Sequence, residues 1–176
     1  LDFKENNLHL ISYSQKKIKK MNLKKLKKNL FTNKNIPNAI PYVTSYYKKN
    51  WGFCIKYNDY KKLKKGNYQV HIDTNFKNGY LKVGSCLIKG KSKKEIIVSS
   101  YLCHPSMANN ELSGPLTLCA LYEKIKKKKF KYSIRLVINP ENIGMTAFIS
   151  KFKKHILSNV IGGCVLTCLG NEDPPI

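Results

Sequence analysis

The chain has 176 residues, with 33 Lys and Arg against 10 Asp and Glu, for a formal charge of +23. At 42% hydrophobic and 11% aromatic it can bury a core, which excludes a wholly disordered chain. With 10 Gly, 7 Pro and 6 Cys, collagen-like and disulfide-framework classes also fail, and the length fits one domain or one plus part of another.

Along the chain, residues 9–13 form a short extended candidate. Asn22 can cap a helix whose Leu23, Leu26 and Leu30 share a face. A loop with Pro37 and Pro41 follows, and residues before proline are pushed out of the helical region. Residues 51–57, 68–74 and 80–88 read as strands separated by Lys-Gly-Asn and Lys-Asn-Gly turns. Residues 1–90 therefore read as a small β-rich domain.

The character changes near Lys94. Residues 95–102 hold a run, Ile96–Val98, suited to a strand covered on both faces. Residues 115–127 are helical by pattern, with Leu118, Leu121, Tyr122 and Ile125 on one face. Residues 132–138 are a strand, 145–156 a helix and 160–169 a third strand. Strand–helix–strand–helix–strand with short connections predicts an α/β fold with a doubly wound, mostly parallel sheet over residues 91–176.

The positive charge points first to nucleic acid or an anionic membrane surface. Arg135 is the only arginine, however, and arginine supplies the fork that reads guanine edges and phosphates. The lysines cluster in short runs at 16–20, 61–65, 91–94 and 126–129, at element ends and loops. They read as a coating on an ordinary fold, and a nucleic-acid partner is not expected. Salt-sensitive binding to an anionic surface stays open as one alternative.

The six cysteines form no CxxC pair and no zinc-finger spacing, and sit mostly within apolar patterns. Free thiols of that kind suit a reducing cytoplasm. The longest apolar run, residues 156–170, is broken by Ser158, Asn159 and Gly162–Gly163 and is too short and polar to span a bilayer. The chain starts without Met and ends at Pro174–Pro175–Ile176, the expectation for a piece of a longer protein.

In open parallel sheets, ligands bind beyond the carboxyl ends of the strands. Three loops qualify: residues 103–115, 140–144 and 170–173. Between them they carry His104, Glu111, Glu141, Glu172 and Asp173. A basic chain that gathers scarce carboxylates and an imidazole at one sheet edge points to a zinc-type ion, which lowers the pKa of bound water to about 7. A Glu that is not a ligand can then act as general base. Ser113–Gly114 adds backbone N–H donors at a helix entrance.

Each residue also has a plainer reading. His104 can be a turn residue, Glu111 a capping-box acid with Ser113 as N-cap, and Glu141 a first-turn acid held by the helix dipole. His71 and His155 read as structural, and His9 has no assignment.

The run CHPSMANNELSGP, followed by a helix, a strand and PENIG, resembles the DUF4910 family of aminopeptidase-like bacterial proteins. NAIPYVTSYYKKNWGFC upstream and GGCVLTCLGNED at the end are similar to the same family. These proteins are distant relatives of the M28 zinc peptidases and are often associated with polysaccharide-biosynthesis loci. The resemblance implies a partial zinc-exopeptidase-type sheet, with the β-rich first half similar to an inserted domain, DUF2172.

It also implies roles. His104 stands at a metal-binding histidine, Asn110 at the metal-bridging aspartate and Glu141 at the catalytic general base. Glu111, beside Asn110, is within reach of the metal. The chain departs from the pattern at Ser106, Asn110 and Asn142, where acids are expected. The expected function is a metallohydrolase in which metal-activated water attacks a peptide or amide bond of a peptide-like or sugar-linked substrate. The alternative is a non-catalytic sugar- or peptide-binding protein that keeps the peptidase fold and has lost the metal.

Overall fold

The computed structural model describes residues 1–104 and 107–170. It divides into two compact units, Leu1–Asn78 and Gly79–Ile176. The expected boundary near residue 90 therefore moves toward the N-terminus, because the strand before it pairs into the second unit.

In the first unit, β1 (Lys17–Asn22) pairs antiparallel with β4 (Asn67–Ile72), Lys17 opposite Ile72 and Asn22 opposite Asn67. Between them, β2 (Leu30–Phe31) and β3 (Phe53–Cys54) form a short parallel pair. Leu26, Val70 and Ile72 make the buried centre, with Met21, Leu30, Trp51 and Phe53 packed against it.

Asn22 does cap a helix, α1 (Leu23–Leu26), its side chain accepting the Lys25 N–H at 3.0 Å. The helix ends at Leu26, earlier than its leucine spacing predicts, and Leu30 opens β2 instead. The strand expected over 51–57 shortens to β3, because Tyr57 begins a second helix, α2 (Tyr57–Lys61). His9 is structural: its Nδ1 lies 2.8 Å from the Cys54 carbonyl oxygen.

The second unit is a four-stranded sheet in the order β5-β7-β6-β8: β5 (Gly84–Ile88), β6 (Glu95–Tyr101), β7 (Ser133–Asn139) and β8 (Val160–Val165). β6, β7 and β8 run parallel, and β5 is antiparallel to β7. The sheet is thus mixed, with a parallel centre. Helix α3 (Ser113–Ile125) follows β6, and α4 (Ile143–Asn159) follows β7.

Leu118 of α3 is buried against Val98, Leu136 and Ile88, with Leu121, Tyr122 and Ile125 on the same face as their spacing predicts. On α4, His155 bonds Glu95 of β6 at 2.9 Å. Positions 95 and 98 point to opposite sides of a strand, so the two helices cover opposite faces. Each fully buried aliphatic side chain in this core contributes about 1.5–3 kcal/mol. No helix among the described residues is long and apolar enough to cross a membrane.

Candidate active site

The carboxyl ends of β6, β7 and β8 lie at the same edge, as parallel pairing demands. Beyond Tyr101 the chain leaves β6, and the Leu102 N–H still donates to the Asn139 carbonyl at 3.0 Å. Cys103 and His104 follow directly. A single π-helical turn, Ala108–Leu112, then leads into α3 and returns Glu111 toward them. Such turns occur disproportionately at functional sites.

Glu111 is only 1% exposed, and both its oxygens are engaged. Oε2 accepts the Cys103 backbone N–H, and Oε1 lies 2.7 Å from His104 Nδ1. This rules out the capping-box reading. Leu112 caps α3 without a side-chain bond, and Ser113 Oγ donates to the Asn109 carbonyl while accepting the Leu169 N–H at 2.9 Å. Ser113 therefore ties the first loop to the segment that follows β8.

Glu141 does not lie in the first turn of α4 either. Asn142 precedes that helix with φ 54° and ψ −67°, and the Ile143 N–H donates back to the Glu141 carbonyl at 2.6 Å. That is a γ-turn of the rare, strained hand. It tips Glu141 toward the first loop: its N–H donates to Cys103 Sγ at 3.3 Å, and its Oε2 lies 3.8 Å from His104 Nε2. Strain of this kind concentrates at functional positions.

Two glycines let the helices reach this edge. A Cβ on Gly114 would stand 2.2 Å from both the Leu166 carbonyl oxygen and Ser100 Oγ, and one on Gly144 would stand 2.6 Å from Pro140 Cδ. Gly114 in the LSGP run and Gly144 at the end of PENIG are therefore glycines for a packing reason.

His104, Glu111 and Glu141, picked from sequence, thus converge. Asn110 turns its amide nitrogen to the Tyr101 hydroxyl at 3.4 Å and to Cys168 Sγ at 3.7 Å, and its Oδ1 is buried without a hydrogen-bond partner. Glu172 and Asp173, expected in the third loop, lie outside the described residues, as does Ser106.

Sequence reasoning missed Cys103. Burial, and secondarily the charges of Glu111 and Glu141, push its thiol above the ordinary cysteine value, against the opposing Glu141 N–H bond. The only signal available in the sequence was its place beside His104 at a strand end.

The donors suit a zinc-type ion. One atom each from Cys103, His104 and Glu111 lie within 4.8 Å of one another, in imidazole–carboxylate–thiol chemistry typical of zinc. The orphaned Asn110 Oδ1 is a further buried acceptor beside them in sequence. A cavity of about 340 Å³ opens next to Glu141, lined also by Tyr101, Asn139, Met145, Ile149 and Val165.

Comparison with known proteins gives this site a context. A Clostridium acetobutylicum protein named "Putative polysaccharide biosynthesis protein with aminopeptidase-like domain" is 42% identical over 171 residues, 97% of this chain and 39% of that protein. A crystal structure described as a "putative peptidase" from the same organism superposes with a TM-score of 0.93 at 41% identity. It covers 98% of this chain and 40% of its own. The chain thus spans about two fifths of the length of these relatives. Residues 11–175 match the family described as "Domain of unknown function (DUF4910)", and this chain belongs to it.

Proposed function

We propose that the chain is part of an aminopeptidase-like metallohydrolase that cleaves a peptide or amide bond, with Glu141 as general base. The observation that carries this reading is the convergence of His104, Glu111 and Glu141 at the carboxyl ends of β6 and β7. His104 and Glu111, with Asn110 beside them, are the residues that would hold the ion. A zinc-type ion held there would supply Lewis-acid polarisation of the carbonyl and acidify water.

The protein's own work is positioning and proton transfer. Glu141, its side chain 41% exposed at the mouth of the cavity, takes the proton from the attacking water. The water oxygen bonds the carbonyl carbon, the C–N bond breaks, and the same carboxyl returns the proton to the leaving amine. The γ-turn at Asn142 fixes Glu141.

At the finer level we assign the second unit to the doubly wound zinc-exopeptidase class, M28-like, and the first to its inserted DUF2172-type domain. A cytoplasmic protein acting on a peptide-like or sugar-linked substrate fits both the free thiols and the relative's polysaccharide-biosynthesis name.

Glu141→Gln in the full-length protein is the test. Hydrolysis should fall by about 10²–10⁴-fold while metal content is unchanged. Undiminished turnover would sink the role given to Glu141.

A second reading has its own support: Asn110 and Asn142 are amides where acids are expected, and amides are weaker ligands for dications. On that reading the fold persists as a binding pocket for a sugar or peptide, without metal or turnover.

A further inference from the structure

Cys103 has no role in the hydrolytic scheme above, yet it is the third donor around His104 and Glu111. Its Sγ lies 3.3 Å from His104 Nδ1 and 4.0 Å from Glu111 Oε1, and those two atoms are 2.7 Å apart. An ion with tetrahedral bonds of about 2.0–2.3 Å holds its N, O and S ligands roughly 3.3–3.6 Å apart. The three observed separations bracket that range. Small side-chain adjustments would even them out, with the ion replacing the His104–Glu111 hydrogen bond.

We propose that Cys103 Sγ, His104 Nδ1 and Glu111 Oε1 form a three-ligand site selective for a zinc-class ion over magnesium or calcium. This deepens the metallohydrolase reading and rests on it for the presence of an ion.

The local fold explains the convergence. Cys103 and His104 are consecutive where β6 ends, and the π-helical turn returns Glu111 with both oxygens facing them. The Glu141 N–H, bonded to Sγ at 3.3 Å, holds the sulfur in place from β7's side. Charge supports the assignment too. A dication facing one thiolate and one carboxylate is neutralised, so the thiolate supplies the anionic donor that Asn110 does not. Thiolate is a soft ligand, preferred by zinc and disfavoured by magnesium and calcium. The thiol proton leaves to solvent on binding.

Cobalt(II) titration of the full-length protein tests this, with zinc competition to measure affinity. The native protein should show visible d–d bands together with a near-ultraviolet thiolate-to-cobalt charge-transfer band. Cys103→Ser should lose the charge-transfer band, keep the d–d bands and bind zinc at least about 10-fold more weakly. Excess magnesium should displace neither. Cys103→Ala, read the same way, guards against a folding defect in the serine variant, and circular dichroism checks both.

Visible bands without charge transfer in the native protein would overturn the sulfur ligand and leave the hydrolase reading standing. So would a charge-transfer band that survives in both variants, since another cysteine would then be its source. No cobalt bands at all in the native protein would overturn this site and the metal reading together.

Discussion

Glu95 shows how a single buried charge is held in this protein. It is 1% exposed at the start of β6, where Arg135 donates to both its oxygens, at 2.9 and 3.0 Å, and His155 bonds Oε1 at 2.9 Å. Burial opposes ionisation, but the Arg135 and His155 hydrogen bonds and charges outweigh it and hold the carboxyl below the usual glutamate range. A depressed folded-state pKa adds stability that is present above the unfolded value, about 4.3, and lost as pH falls through the folded value. Thermal unfolding from pH 7 to 3 should therefore show a steep loss below about pH 4.3. Glu95→Gln should be less stable at pH 7 by about 1–3 kcal/mol and flatter in the acid window. Parallel curves for the two proteins would contradict this account of Glu95. The sequence makes His104, Glu111 and Glu141 visible because acids and histidines are scarce among so many lysines. It hides Cys103, because a thiol after an apolar run reads as one more small hydrophobe.

The elements around the site depend on close approach. Ser100 Oγ donates to the Leu166 carbonyl at 2.8 Å, and the first turn of α3 packs onto this pair with no room for a methyl group. Gly114→Ala should push α3 outward and cost about 1–3 kcal/mol in urea unfolding, as overpacking does. An unchanged midpoint would show that the helix has slack there. Elements of this unit were legible from periodicity: β6, α3, β7 and α4 all form close to their expected ranges, β6, α3 and β7 sharing one apolar core while α4 buries Phe148 on the other face. In the first unit, β1 was hidden by Lys17, Lys19 and Lys20, whose charges mask the strand pattern. Its pairing with β4 comes from tertiary contact, which overrides local composition.

At the scale of the whole molecule, several lysines make local contacts. Lys17 lies over the Trp51 ring, Lys27 over Tyr60 and Lys126 over Tyr122, at 4.7–5.6 Å from the ring centres. Lys94 donates to the Ser158 carbonyl at 2.9 Å, tying the end of α4 to the start of β6. Such pairings fit a solvated coating that shields apolar surface. The change in sequence character near Lys94 falls inside the α/β unit and not at its edge, since β5 joins the sheet only by pairing with β7 across about fifty residues.

The proposed ion at this sheet edge depends on His104 and Glu111. Metal analysis of the purified full-length protein after dialysis, beside His104→Ala, tests it most directly. About one zinc per chain in the native protein, lost in the variant, is the expected result. A native protein without metal, or a variant that keeps it, would contradict the claim and leave the non-catalytic pocket as the better description.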